Sequence, residues 1–222
     1  MERPFELLVF DWDGTLADSL DHIISSMEGA IAEVGLAPRE RSQIRRAIGL
    51  GMMEVITALY PGLDMELATG LVASYRDHFL QRPEDEINLF PGVHAMLESF
   101  RRRGYRLAVA TGKSRRGLDR ALHRAGLDQV FDATRCADET FSKPHPQMLY
   151  DLMIELSVEP RRTLMIGDSE HDLQMALNAG VAAAAIGLDD DEHTDRLQRY
   201  DPVVCLADVG SLPAWLEQTQ TQ

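Results

Sequence analysis

Two aspartates one residue apart, Asp11 and Asp13, close a short apolar run, Phe5–Phe10, and are followed by Gly14 and Thr15. Carboxylates crowded in this way can hold a divalent cation, act as a nucleophile or exchange protons. At about 4 Å two such charges repel by roughly 4 kcal/mol at an effective dielectric near 20, so a buried pair calls for a compensating cation. Further along lie Thr111-Gly112-Lys113-Ser114, then Lys143-Pro144, then Gly167-Asp168-Ser169. A hydroxyl, an ammonium and further carboxylates are the groups that phosphoryl transfer uses. A calcium loop also opens Asp-x-Asp, but it needs more oxygen ligands at alternate positions and a closing glutamate. Thr15, Leu16 and Ala17 follow here instead.

These residues matter only if the fold brings them together. Phe5–Phe10 reads as a strand buried on both faces, as in the middle of a parallel sheet. Tyr105–Ala110 and Thr163–Ile166 are similar runs, and each ends in one of the polar groups above. Ala133–Cys136, Val181–Ile186 and Val203–Leu206 add shorter candidate strands. Helical patterns separate them, over about Val93–Arg103, Arg115–Ala125, Met148–Leu156 and Leu173–Ala179, with Gly104, Gly126 and Gly180 just beyond three of these ends. Strands alternating with helices predict a parallel sheet with right-handed crossovers, whose strand ends share one edge. Asp11, Asp13, Thr111 and Asp168 then converge, and Lys143 joins them from a loop.

The stretch between the first two of these strands is different. Ile23, Ile24, Met27, Ile31 and Val34 recur at helical spacing behind a candidate cap, Asp18 or Ser19, and Gly35 ends the run. Met52–Tyr60 and Met65–Leu80 read as two more helices, and Arg82–Glu86 as a polar return linker. The expected organisation is an α/β core of residues 1–16 and 89–222, Rossmann-like, with an inserted all-helical unit at 17–88.

The composition bounds the function. The chain has 222 residues, 45% of them hydrophobic and 26% charged, enough for one fair-sized core plus an insert. A formal net charge of −14 disfavours nucleic acid and anionic membranes as partners. Cys136 and Cys205 are far apart and match no metal or redox spacing. No signal peptide or membrane span is evident, so a cytoplasmic monomer or homodimer acting on a small molecule is expected.

Asp11-Trp12-Asp13-Gly14-Thr15, Thr111, Lys143 and Gly167-Asp168-Ser169-Glu170-His171-Asp172 resemble, in order, the four motifs of the haloacid dehalogenase-like (HAD) hydrolase superfamily. The helical insert resembles the small cap of its phosphoglycolate phosphatase-like branch. The resemblance implies a Mg2+-dependent phosphomonoesterase acting on a small phosphorylated metabolite, 2-phosphoglycolate being one candidate, through an aspartyl-phosphate. It implies Asp11 as nucleophile and Asp13 as general acid and base. Mg2+ would be held by Asp11, the carbonyl of Asp13 and Asp168. Thr111 and the N–H of Gly112 would bind phosphate. Lys143 would neutralise charge, and Asp172 would support the metal or orient Lys143. Asp13 itself argues against carbon–halogen chemistry, because the dehalogenases lack an acid at that position.

Arg45, Arg46 and the Gly49-Leu50-Gly51 turn are candidates for a segment that reaches over the site and selects substrate. Asp189–Glu192 reads as a solvated acidic loop that would repel a multiply charged substrate on that side. A sugar-phosphate mutase or phosphotransferase of the same superfamily is the nearest other reading. A phospho-receiver domain uses similar groups, but its acidic pair and phosphorylated aspartate lie on different strands and it has no helical insert.

Overall fold

The structure is a computed structural model that describes residues 3–81, 88–187 and 191–219. Its centre is a six-stranded sheet with every neighbouring pair parallel. In chain order the strands are β1 (Leu7–Phe10), the short β2 (Ala17–Asp18) and β3 (Asn88–Leu89), β4 (Arg106–Thr111), β5 (Ala133–Cys136), β6 (Thr163–Gly167), β7 (Ala182–Ile186) and β8 (Val204–Leu206). The main sheet runs β5-β4-β1-β6-β7-β8, so β1 lies between β4 and β6.

Successive side chains of a strand point to opposite faces, and the apolar runs divide accordingly. Leu8, Phe10, Leu107, Val109, Leu164 and Ile166 pack on one face, with helices α5 (Val93–Arg102), α6 (Arg115–Arg124) and α10 (Leu212–Thr219). Leu7, Val9, Ala108, Ala110 and Met165 pack on the other, with α7 (Gln147–Leu156) and α8 (Glu170–Ala179). Every residue of β1 is fully buried, which is why that run carries no polar side chain until the strand stops.

Helices α1 (Leu20–Glu33), α2 (Arg41–Ala47), α3 (Met52–Leu59) and α4 (Met65–Gln81) have a separate core of their own, built on Met27, Ile31, Ile44, Ile56 and Leu71. The chain enters and leaves them through β2 and β3, which pair antiparallel, Ala17 with Leu89 and Asp18 with Asn88.

The sequence expectation for the sheet holds to within a residue or two at its strand ends. Three short helices escaped it, α2, α9 (Asp191–Gln198) and α10, the first two because their sequences are mostly charged and polar. Asp191 and Glu192 therefore open a helix and are not part of a loop, while Asp189 and Asp190 lie outside the described residues, as does the Arg82–Glu86 linker.

Candidate active site

The carboxyl ends of β1, β4 and β6 meet as the sheet order requires. Asp11 directly follows β1 and its N–H donates to the Ile166 carbonyl on β6 at 2.9 Å. Lys143, from the loop before α7, is fully buried, with its Nζ 2.5 Å from Asp11 Oδ1 and 2.6 Å from Asp172 Oδ1. Asp172 sits in the first turn of α8, where its other oxygen accepts from the Ser169 hydroxyl at 2.6 Å and the Ser169 N–H at 3.2 Å. Ser169 in turn caps the helix. One carboxylate thus starts α8 and anchors the ammonium.

Asp168 is reached from the first motif. The Thr15 hydroxyl donates to its Oδ1 at 2.8 Å. Gly14 has a φ of +87°, and a Cβ there would lie 2.3 Å from Asp168 Oδ2, so this turn admits only glycine. Gly167 is confined too, since a Cβ would meet Asp172 at 2.4 Å.

Oxygens of Asp11, Asp168 and Asp172 all lie within 4.8 Å of one another. Burial, opposed by Lys143 and reinforced by Asp172 and Asp13, pushes the Asp11 carboxyl up to about 7. Burial, then Asp11 and Asp172, also hold Asp168 well above the ordinary carboxylate value. Burial works to lower the Lys143 ammonium, but its two partners outweigh that and keep it above its usual value. Three carboxylates share one ammonium, and all the donors are hard oxygens. A divalent cation of the Mg2+ type fits both the charge and the donor set.

Asp13 has partners of its own. Its Oδ1 accepts from the Ser19 hydroxyl at 2.6 Å, and its Oδ2 lies 3.0 Å from Lys113 Nζ. Ser19 occupies the N-cap position of α1 but makes no side-chain cap bond, so the capping expected of it is replaced by a bond to Asp13. Thr111 ends β4, buried, and its hydroxyl accepts from the Lys113 N–H at 3.2 Å.

Gly112 lies directly beneath the helical insert. A Cβ on it would be 2.4 Å from the Leu50 carbonyl oxygen and 2.6 Å from that of Gly49. Gly49, at φ +103°, rests in turn on Ser169 and His171. His171 Nε2 donates to the Arg46 carbonyl at 2.9 Å, and the Gly51 N–H donates to the Ser142 hydroxyl at 2.6 Å. The 49–51 turn therefore lies over the strand ends.

Between turn and sheet is a cavity of about 160 Å³ with Asp11, Asp13 and Asp168 among its walls. Arg45 and Arg46, both exposed, line its outer side together with His171. So do His193 and Arg196 of α9, which the sequence reading left out. Arg196 pairs with Glu170 at 2.9 Å. Helix α9, which Asp191 and Glu192 open, thus turns basic side chains towards the cavity. Lys113 was also missed as a site residue, since a lysine after a strand-end glycine looks like any solvated charge.

Comparison with known proteins agrees with this geometry. Residues 8–186 match the haloacid dehalogenase-like hydrolase family. The chain is 36% identical over 203 residues to a protein of Dickeya dadantii named probable phosphatase IndB, covering 89% of this chain and 87% of that one. It is 28% identical to a phosphoglycolate phosphatase of Mesorhizobium japonicum, over 98% of this chain and 96% of the relative. The crystal structure of a predicted phosphatase from Clostridium acetobutylicum superposes with a TM-score of 0.82 at 25% identity, over 96% of this chain and 99% of that one.

Proposed function

Because the chain belongs to the haloacid dehalogenase-like hydrolase family, we propose that it is a Mg2+-dependent phosphomonoesterase acting on a small phosphorylated metabolite. The observation that carries the reading is the buried Lys143 ammonium bridging Asp11 and Asp172, next to a small cavity that Asp11 and Asp168 line.

In this reading Asp11, Asp168 and the carbonyl of Asp13 hold the metal, and Asp172 orients Lys143. Bound Mg2+ would offset the negative charge of the phosphoryl oxygens and so ease the approach of a carboxylate. An Asp11 oxygen attacks phosphorus while the bond from phosphorus to the ester oxygen breaks. Protonated Asp13 gives its proton to the departing oxygen, and an alcohol leaves. Asp13, now a carboxylate, takes a proton from water as the water oxygen attacks the aspartyl-phosphate. Inorganic phosphate is released and Asp11 is regenerated. Thr111 and the Gly112 N–H bind phosphoryl oxygens, and Lys143 keeps the nucleophile ionised and oriented.

Residues 17–88 act as a cap over this site, and Arg45 and Arg46 favour a substrate with a second anionic group. The name of the Mesorhizobium relative supports 2-phosphoglycolate as a substrate to test first. The test is a panel of phosphomonoesters assayed with Mg2+ and with chelator, comparing kcat/KM. Release of inorganic phosphate that stops on chelation and returns with Mg2+ is expected, and Asp11→Asn should abolish it. Activity in Asp11→Asn, or transfer of phosphate to sugar acceptors in place of water, would refute the reading.

A further inference from the structure

We propose that Lys113 is a positioning residue that fixes the orientation of the Asp13 carboxylate, and that Phe79 of the helical insert holds Lys113 in place. The proposal rests on the phosphatase reading, in which Asp13 passes a proton to the departing oxygen.

A carboxyl group that must deliver a proton along one direction has to be held at both oxygens. Ser19 holds Oδ1 of Asp13 at 2.6 Å, and Lys113 Nζ stands 3.0 Å from Oδ2. The side chains of the pair are only 14% and 10% exposed, unlike a surface ion pair, which solvent would loosen. The backbone of Lys113 is pinned on both sides. Its N–H donates to the Thr111 hydroxyl at 3.2 Å, and its carbonyl accepts from the Ala137 N–H at 3.0 Å. The ammonium thus projects from a fixed base.

Its other neighbour belongs to the insert. Lys113 Nζ lies 5.3 Å from the centroid of the Phe79 ring on α4, within reach of a cation–π attraction. Phe79 is itself held by His22 of α1. The His22 ring meets it edge-on at 4.5 Å, and His22 Nε2 donates to the Phe79 carbonyl at 3.1 Å. Tyr75 lies alongside, its ring 5.8 Å from that of Phe79. Two helices of the insert therefore reach Asp13 through a single lysine, and the carboxylate is fully clasped only while the insert sits over the sheet.

Leaving-group dependence separates this role from direct phosphate binding. A proton donor matters for an alkyl ester, whose alkoxide departs poorly, and little for p-nitrophenyl phosphate. A residue that grips the phosphoryl group matters equally for both. The full chain with Mg2+ is compared with Lys113→Met, Lys113→Arg and Phe79→Leu on both esters. Lys113→Met should lower kcat by about 100-fold on the alkyl ester, at the lower end of general-acid contributions, and by no more than about fivefold on the aryl ester. KM should stay within about twofold. Lys113→Arg should recover about tenfold of the alkyl loss, and Phe79→Leu should show the same selectivity at smaller size.

Equal losses on the two esters, or a rise in KM alone, would overturn the role of Lys113 and leave the phosphatase reading standing. If Lys113→Met fails to fold, Phe79→Leu decides, because it leaves the lysine in place: a loss confined to the alkyl ester supports the role, and equal losses overturn it. A wild-type chain inactive on every ester would refute the phosphatase reading and this proposal with it.

Discussion

Replacing Lys143 with methionine removes the only positive charge in contact with Asp11 and Asp172 among the described residues, while keeping a similar volume. The side chain it replaces has no exposed surface, and its partners are 3% and 0% exposed, so water cannot take over the ammonium's part. Breaking a buried pair from one side costs about 3 to 5 kcal/mol, because the remaining charge is stranded. For a chain of this size that lowers Tm by roughly 6 to 20 °C. The loss must also depend on pH. Burial already pushes Asp11 up to about 7 against the pull of Lys143, and without the ammonium it rises further. A carboxyl whose value is raised by folding favours the folded state when protonated, and that contribution disappears as pH rises through the folded value. The deficit of the variant should therefore be greatest near pH 8 and shrink towards about pH 5. Added Mg2+ should narrow it near pH 8 by restoring positive charge. Calorimetry or urea unfolding of both proteins, in chelator and then with Mg2+, measures this. A gap below about 1 kcal/mol near pH 8, or one that widens on acidification, would refute the electrostatic account of the site.

Two further outcomes test the geometry. Gly112→Ala should push the 49–51 turn away by roughly 1 Å, since the clash is with backbone, and should lower kcat/KM by about 10- to 100-fold with little change in Tm; steady-state kinetics near the wild-type value would show that the turn need not close on the sheet. In chelator, the wild-type chain should lose stability as pH rises from about 5 to 8, because Asp11 is raised and must ionise beside Asp168 and Asp172, and Mg2+ should remove most of that slope in a thermal-shift titration.

The central sheet was legible because each of its long strands is an uninterrupted apolar run that stops at a polar residue. Once β1, β4 and β6 are taken as parallel neighbours, Asp11, Thr111 and Asp168 have to meet, whatever their separation in the chain. Lys143 was legible only together with them. Helices α2 and α9 left little trace: in α2 only Ile44 and Ala47 are buried, and in α9 Leu197 is the one aliphatic residue, so neither shows an apolar stripe. Ser19 misled for a physical reason, since one hydroxyl can cap a helix or serve a carboxylate six residues back, and the spacing suits either. The bond from Lys113 to Asp13 spans 100 residues and depends on side-chain reach, which no local pattern encodes.

The antiparallel pairing of Ala17 with Leu89 and Asp18 with Asn88 means that both crossings between sheet and helices run side by side, tied by main-chain bonds. A double strap of that kind resists shear and torsion and yields most easily to flexing across its own flat face. Were the helices to swing away from the strand ends, they would turn much as a door does on one jamb. Departure of the 49–51 turn from Gly112 and withdrawal of Phe79 from Lys113 would be two readings of a single angle, so one distance probe placed at either spot would report on both.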